Sequence, residues 1–208
     1  MKKFPTQGLY AITQTEHKSI QRVVDEVEKV LMGGAVVVQY RDKYPKNALL
    51  LAKELVAVCH AYQAPLIIND DVELAVKAAA DGVHLGKDDG TIAHARQLLG
   101  NHAIIGVSCY NSVEDAQEAE QQGADYVAFG RFFPSSSKPL ATPAELNTLQ
   151  IAKHILSIPI VAIGGILPEN GGQLLDAGAD LLAVIGGLFT ADPEQAAIAY
   201  RALFTPYE

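Results

Sequence analysis

Residues 178–187 read GADLLAVIGG, and the order of residue types in this stretch decides the fold. Gly178 supplies a left-handed stop for a preceding helix. The apolar run that follows is continuous rather than alternating, as in a strand buried on both faces of a parallel sheet. Gly186 and Gly187 then end it in a tight turn. Related phrases stand at GADYVAFG (123–130) and ADGVHLG (80–86), where a glycine is again expected to stop a helix just before a strand.

Working outward, apolar runs rich in Val and Ile recur at 8–13, 35–41, 65–70, 82–86, 104–109, 126–130, 160–165 and 181–187. Between them lie segments with helical spacing. In 19–31 the residues Ile20, Val23, Val24, Val27, Val30 and Leu31 form one stripe, and 48–61, 112–121 and 194–203 repeat the pattern. Start signals precede several helices: Ser112, Thr142-Pro143 and Asp192-Pro193. Strict alternation of strand and helix means a parallel sheet. Eight units in 208 residues give about 26 residues each, which predicts an α/β fold, a single-domain (βα)8 TIM barrel over 1–208. A doubly wound open sheet is the alternative, but no G-x-G-x-x-G follows the first strand.

The composition bounds the function. With 24 acidic and 16 basic side chains the net charge is −8, and no Lys/Arg-rich run exists, which argues against nucleic acid and anionic membrane surfaces as partners. No apolar stretch approaches the length of a membrane span, and no apolar segment follows Lys2-Lys3 as an export signal would require. Cys59 and Cys109 make neither a disulfide framework nor a metal motif. A cytoplasmic protein is expected.

Barrel active sites lie at the C-terminal ends of the strands, so the chemistry can be sought there. The second strand ends in Gln39-Tyr40-Arg41-Asp42-Lys43; Gln39, Arg41 and Lys43 share one face, suited to a phosphate or diphosphate, unless the cations are simply solvated at the rim. The third strand ends in Asn69-Asp70-Asp71, and Lys87-Asp88-Asp89 follows the fourth. One or two carboxylates with substrate phosphates is the usual Mg²⁺ arrangement, whereas Asp71 reads better as a helix cap. Ser108 ends the fifth strand as a hydroxyl donor or a plain turn serine, and Cys109 reads as a small core residue. Ser135-Ser136-Ser137-Lys138 after the sixth strand is either an oxyanion-binding turn or a polar loop. Gly164-Gly165 and Gly186-Gly187 fall after strands seven and eight, where barrels often bind phosphate through backbone N–H groups. His17, His60, His94, His102 and His154 show no ligand spacing, and His84, inside the fourth strand, reads as core packing.

Together the phrases QYRDK (39–43), IINDD (67–71), DGVHLGKDD (81–89), GVS (106–108), DYVAFGRFFPSSSK (125–138), AIGGI (162–166) and AVIGG (183–187) resemble the thiamine-phosphate synthase family, in family order along essentially the whole chain. The resemblance implies a transferase that joins a pyrimidine diphosphate to a thiazole phosphate. It implies that Gln39, Tyr40, Arg41, Asp42, Lys43, Asn69, Ser108 and Lys138 serve the pyrimidine diphosphate. Ser135, Ser136, Ser137, Gly165, Ile185 and Gly186 would then bind the thiazole phosphate, and Asp70 and Asp89 would hold Mg²⁺. Lys138, Arg41, Lys43 and Ser108 are the implied catalytic groups, and the resemblance also allows a homodimer. The loops at 44–47 and 135–138 are the candidate lids. Three departures stand out: Lys87 replaces a usual glutamine, Ser135 and Ser137 replace threonines, and Gly186 replaces a serine. The rivals are a thiazole tautomerase, whose acid–base histidine would sit where this chain has Tyr110, and a non-catalytic phosphate- or thiamine-binding module.

Overall fold

The computed structural model describes residues 3–134, 143–189 and 192–204. Eight parallel strands alternate with eight helices. The first half runs β1 (Gly8–Ile12), α1 (Ile20–Met32), β2 (Ala35–Tyr40), α2 (Ala48–Ala61), β3 (Leu66–Asn69), α3 (Val72–Ala78), β4 (Gly82–Leu85) and α4 (Ile92–Leu99). The second half runs β5 (Ile104–Tyr110), α5 (Val113–Gln121), β6 (Tyr126–Gly130), α6 (Leu146–Ile155), β7 (Ile160–Ile163), α7 (Pro168–Asp176), β8 (Leu181–Val184) and α8 (Pro193–Arg201). The strands pair in sequence order and β8 returns to β1, matching Gly8 with Leu181 and Ala11 with Val184. The expected (βα)8 barrel is the observed one, and no described helix is long and apolar enough to cross a membrane.

Alternation along each strand divides the core in two. Inward positions such as Ile12, Val37, Ile67, Val161 and Leu181 fill the barrel, and Phe4 stacks on Tyr126 with ring centroids 3.9 Å apart. Outward positions such as Leu9, Val38, Ile68, Val83 and Leu182 pack beneath helix residues Val27, Leu55, Ala95 and Leu174. Because both faces are buried, the strands read as continuous apolar runs.

The helix caps follow the expected chemistry at most ends. Ser19, Asp71, Thr91, Ser112 and Asp192 each accept a backbone N–H of the first turn. Asp71 is thus a cap for α3, as its position before the helix implied. Two expectations are corrected. Thr142 lies outside the described residues, and helix α6 does not start at Pro143; it begins at Leu146, where the Asn111 side chain accepts from Glu145 N–H at 2.9 Å. Gly123 and Gly178 do take positive φ after α5 and α7, but α3 is stopped by Ala79 at φ 55°, not by Gly82. Gly82 instead lies inside β4 against Ile104, where an added Cβ would come 1.9 Å from the carbonyl oxygen.

The aspartates of those three phrases have a role the helix-stop reading did not foresee. Asp81 Oδ2 accepts from Leu66 N–H at 2.9 Å, Asp125 Oδ2 from Ile105 N–H at 2.7 Å, and Asp180 Oδ2 from Ile160 N–H at 2.9 Å. Each also meets a basic side chain from the helix side: His60, Arg96 and Lys153 respectively. The clamps join β3 to β4, β5 to β6 and β7 to β8 at the strand starts, away from the end where barrel chemistry occurs.

Candidate active site

A cavity of about 530 Å³ opens at the C-terminal ends of the strands. Gln39, Arg41, Asn69, Asp70, Asp89, Ser108, Gly165, Ile185 and Gly186 all line it, so the barrel brings together residues from six strand ends. Lys43, Tyr40 and Asp42 line an adjoining groove that shares Arg41 and Ile185 with the cavity. The Tyr40 ring belongs to the layer between sheet and helices rather than to the barrel interior, because it alternates with Gln39. Ser135, Ser136, Ser137 and Lys138 lie outside the described residues, and so does that candidate lid. Residues 44–47 follow Lys43 at the groove, with Tyr44 largely exposed.

Local structure holds several of these groups in place. Thr13 Oγ1 accepts from Arg41 N–H at 2.9 Å and donates to Arg41 O at 3.0 Å, pinning the end of β2 to that of β1. Between Ser108 and Tyr110 the pairing of β5 with β6 shifts by one residue, a bulge of the kind that re-aims side chains beside active sites. Asp70 has φ 64°, left-handed backbone that costs energy for any residue carrying a Cβ and marks a position held by its surroundings. Gly165 also takes positive φ, and a Cβ there would stand 2.4 Å from Pro134 O.

The two candidate metal ligands face one another. Partial burial at the cavity mouth, reinforced by the Asp89 carboxyl, pushes Asp70 up to about 6, while Asn69 and Arg41 pull the other way. Asp89 Oδ2 also accepts from Gly86 N–H at 2.9 Å. Among the described residues no cluster of three or more His, Cys, Asp or Glu could hold a metal on its own. Two opposed carboxylates with room for phosphate oxygens fit a hard cation such as Mg²⁺, which keeps several water or substrate ligands.

His84 is more than the packing residue its place in a strand suggested. It is buried, but it lines the cavity and engages both Tyr126 and Ser108 through its ring nitrogens. Tyr10, Lys87, Tyr110 and Arg131 also line the cavity. A phenol inside an otherwise apolar parallel strand, as at Tyr10 and Tyr126, was the available signal, since a buried hydroxyl demands a partner. Cys109 fits its core reading: it is fully buried, and burial raises its thiol to about 12.

The family described as Thiamine monophosphate synthase matches residues 9–188. The Thiamine-phosphate synthase of Nitrosococcus oceani is 53% identical over 201 residues, covering 95% of this chain and 93% of the relative. That of Thiobacillus denitrificans is 48% identical, covering 98% and 97%. Among solved structures, the thiamine phosphate pyrophosphorylase of Pyrococcus furiosus superposes with a TM-score of 0.85 at 34% identity, covering 95% of each chain. With a family match over most of its length, near-full-length relatives and a barrel of the same form, the chain belongs to the thiamine monophosphate synthase family.

Proposed function

We propose that this chain condenses 4-amino-2-methyl-5-(diphosphooxymethyl)pyrimidine with 4-methyl-5-(2-phosphooxyethyl)thiazole, or its 2-carboxy form, giving thiamine phosphate and diphosphate in a Mg²⁺-dependent reaction. The enzyme class, a transferase of the thiamine-phosphate synthase kind, follows from the family and from relatives of that name near 50% identity over almost the whole chain. The observation that carries the finer reading is one cavity where Arg41, Asn69, the Asp70–Asp89 pair and Ser108 meet the glycine turns after β7 and β8.

In the proposed reaction the C–O bond between the pyrimidine methylene and the diphosphate breaks, and its electron pair leaves with the diphosphate. The cation left behind is delocalised into the pyrimidine and its amino group, and the thiazole nitrogen lone pair captures it to form the new C–N bond. Arg41 and Lys43, with Lys138, offset the charge growing on the leaving group, and Ser108 donates to it. Gln39 and Asn69 orient the pyrimidine; backbone N–H groups at Gly165, Ile185 and Gly186, with Ser135, Ser136 and Ser137, hold the thiazole phosphate. Asp70 and Asp89 would hold Mg²⁺, which supplies further charge neutralisation at the diphosphate when bound. No enzyme nucleophile or general base is required. Holding both halves in attack geometry can contribute roughly 7–11 kcal/mol, provided water is kept from the cation. A cytoplasmic setting is part of the same proposal.

The test is to mix the protein with both phosphorylated halves, with and without Mg²⁺, and assay thiamine phosphate and diphosphate. Stoichiometric formation of both products that depends on the metal supports the reading. Absence of coupling, or equal rates after chelation, overturns it.

A further inference from the structure

A chain of polar side chains crosses the barrel interior from β2 to β5, at positions that barrels ordinarily fill with Val, Ile or Leu. Gln39 Nε2 donates to the Tyr10 hydroxyl at 2.9 Å, and the Tyr10 and Tyr126 hydroxyls lie 2.8 Å apart. The Tyr126 hydroxyl is 2.9 Å from His84 Nδ1, and His84 Nε2 is 2.8 Å from Ser108 Oγ. Space for this chain is built in: a Cβ on Gly106 would fall 1.9 Å from the Tyr126 ring. Both phenols are enclosed, at 1% and 0% exposure, and no buried side-chain polar atom of the described residues lacks a partner.

The chemistry of the members gives the chain a direction. Burial raises both phenols above their ordinary range, so each keeps one proton and must donate it. Tyr10 accepts the Gln39 N–H, so its own proton goes to Tyr126. Tyr126 then donates to His84 Nδ1, which must be bare. A neutral ring with Nδ1 bare carries its proton on Nε2 and donates to Ser108 Oγ. The Ser108 hydroxyl, having accepted, has its own proton left to turn into the cavity it lines. The reverse order would drive the Tyr10 proton head-on into the Gln39 N–H.

The geometry points to His84, Tyr126 and Tyr10 as positioning residues that lock His84 as the Nε2–H tautomer and so aim the Ser108 hydroxyl into the cavity as a donor to an anionic oxygen. This deepens the proposed function and rests on it for the identity of the anion, the leaving diphosphate.

Two measurements test it. Long-range ¹H–¹⁵N spectra of the uniformly labelled wild-type protein near neutral pH should show His84 with a protonated Nε2 and a bare Nδ1. A proton on Nδ1 overturns the proposal. In kinetics, Tyr126→Phe should lower kcat about tenfold with little change in KM, and by less than about twofold when added to Ser108→Ala, because its effect passes through that hydroxyl. Equal losses in both backgrounds overturn the proposal. Should Tyr126→Phe not fold, Tyr10→Phe interrupts the same chain one step earlier and is read in the same way. A wild-type protein that fails to couple the two halves sinks the reaction, while the tautomer still decides the chain.

Discussion

The carboxylate of Asp180 accepts a hydrogen bond from the Ile160 backbone N–H across twenty residues of chain, at 2.9 Å, and meets Lys153 with its other oxygen. It holds the start of β7 from the residue just before β8, at the opposite end of the barrel from the cavity. Asp180→Ala leaves that N–H without its partner and should cost about 1–3 kcal/mol. For a chain of this size that is a fall in Tm of roughly 3–10 °C, with kcat unchanged. Thermal unfolding and steady-state assays on one preparation check both halves of the statement.

At the other end of the barrel, Asp70→Asn keeps the shape of a proposed metal ligand and removes its charge. The Mg²⁺-dependent rate should drop on the order of a hundredfold or more, since such a site supplies several kcal/mol. Near-normal Mg²⁺-dependent turnover in this variant would exclude Asp70 as a ligand.

The raised Asp70 makes the same site pH-sensitive. Its ordinary value is 3.8 and its value here about 6, so the folded protein holds a proton that the unfolded chain has lost between those limits. Without metal, Asp70 by itself therefore lowers stability as pH rises from about 4 to about 6. Mg²⁺ competes with that proton: its affinity should weaken as pH falls below about 6 and level off above it. Calorimetric titration of Mg²⁺ in buffers of different ionisation enthalpy measures the proton released.

Gly186 offers a gain-of-contact experiment. A Cβ built there meets no described atom within 4 Å, and its φ lies outside the left-handed region. Gly186→Ser should fold normally and place a hydroxyl at the cavity wall, lowering KM for the thiazole phosphate roughly 3–10-fold, the effect of one added hydrogen bond. An unchanged KM would mean that the phosphate is gripped elsewhere.

Tyr110 also lines the cavity, at the end of β5 where a tautomerase would place its acid–base histidine. If capture of a cation needs no proton transfer, Tyr110→Phe should keep close to wild-type rates of synthesis. A loss as large as that of Asp70→Asn, read in the coupling assay, would bring acid–base chemistry back.

The barrel and most of its strand-end groups were legible in the chain itself. Continuous apolar runs, helical stripes and caps such as Ser112 and Asp192 are short-range consequences of backbone geometry, so they can be read residue by residue. Once strands and helices alternate, the rule that barrel sites sit at strand C-termini directs attention to Arg41, Asn69, Asp70, Asp89 and Ser108. What the tertiary structure alone decided were contacts between residues far apart in sequence. Asn111 caps a helix that begins at Leu146, Asp180 ties down Ile160, and Tyr10 meets Tyr126 across 116 residues. Strand periodicity says that Tyr10, His84 and Tyr126 face inward. Only closure of the barrel brings three inward polar groups within hydrogen-bond reach, and there each satisfies the next, as buried polar groups must.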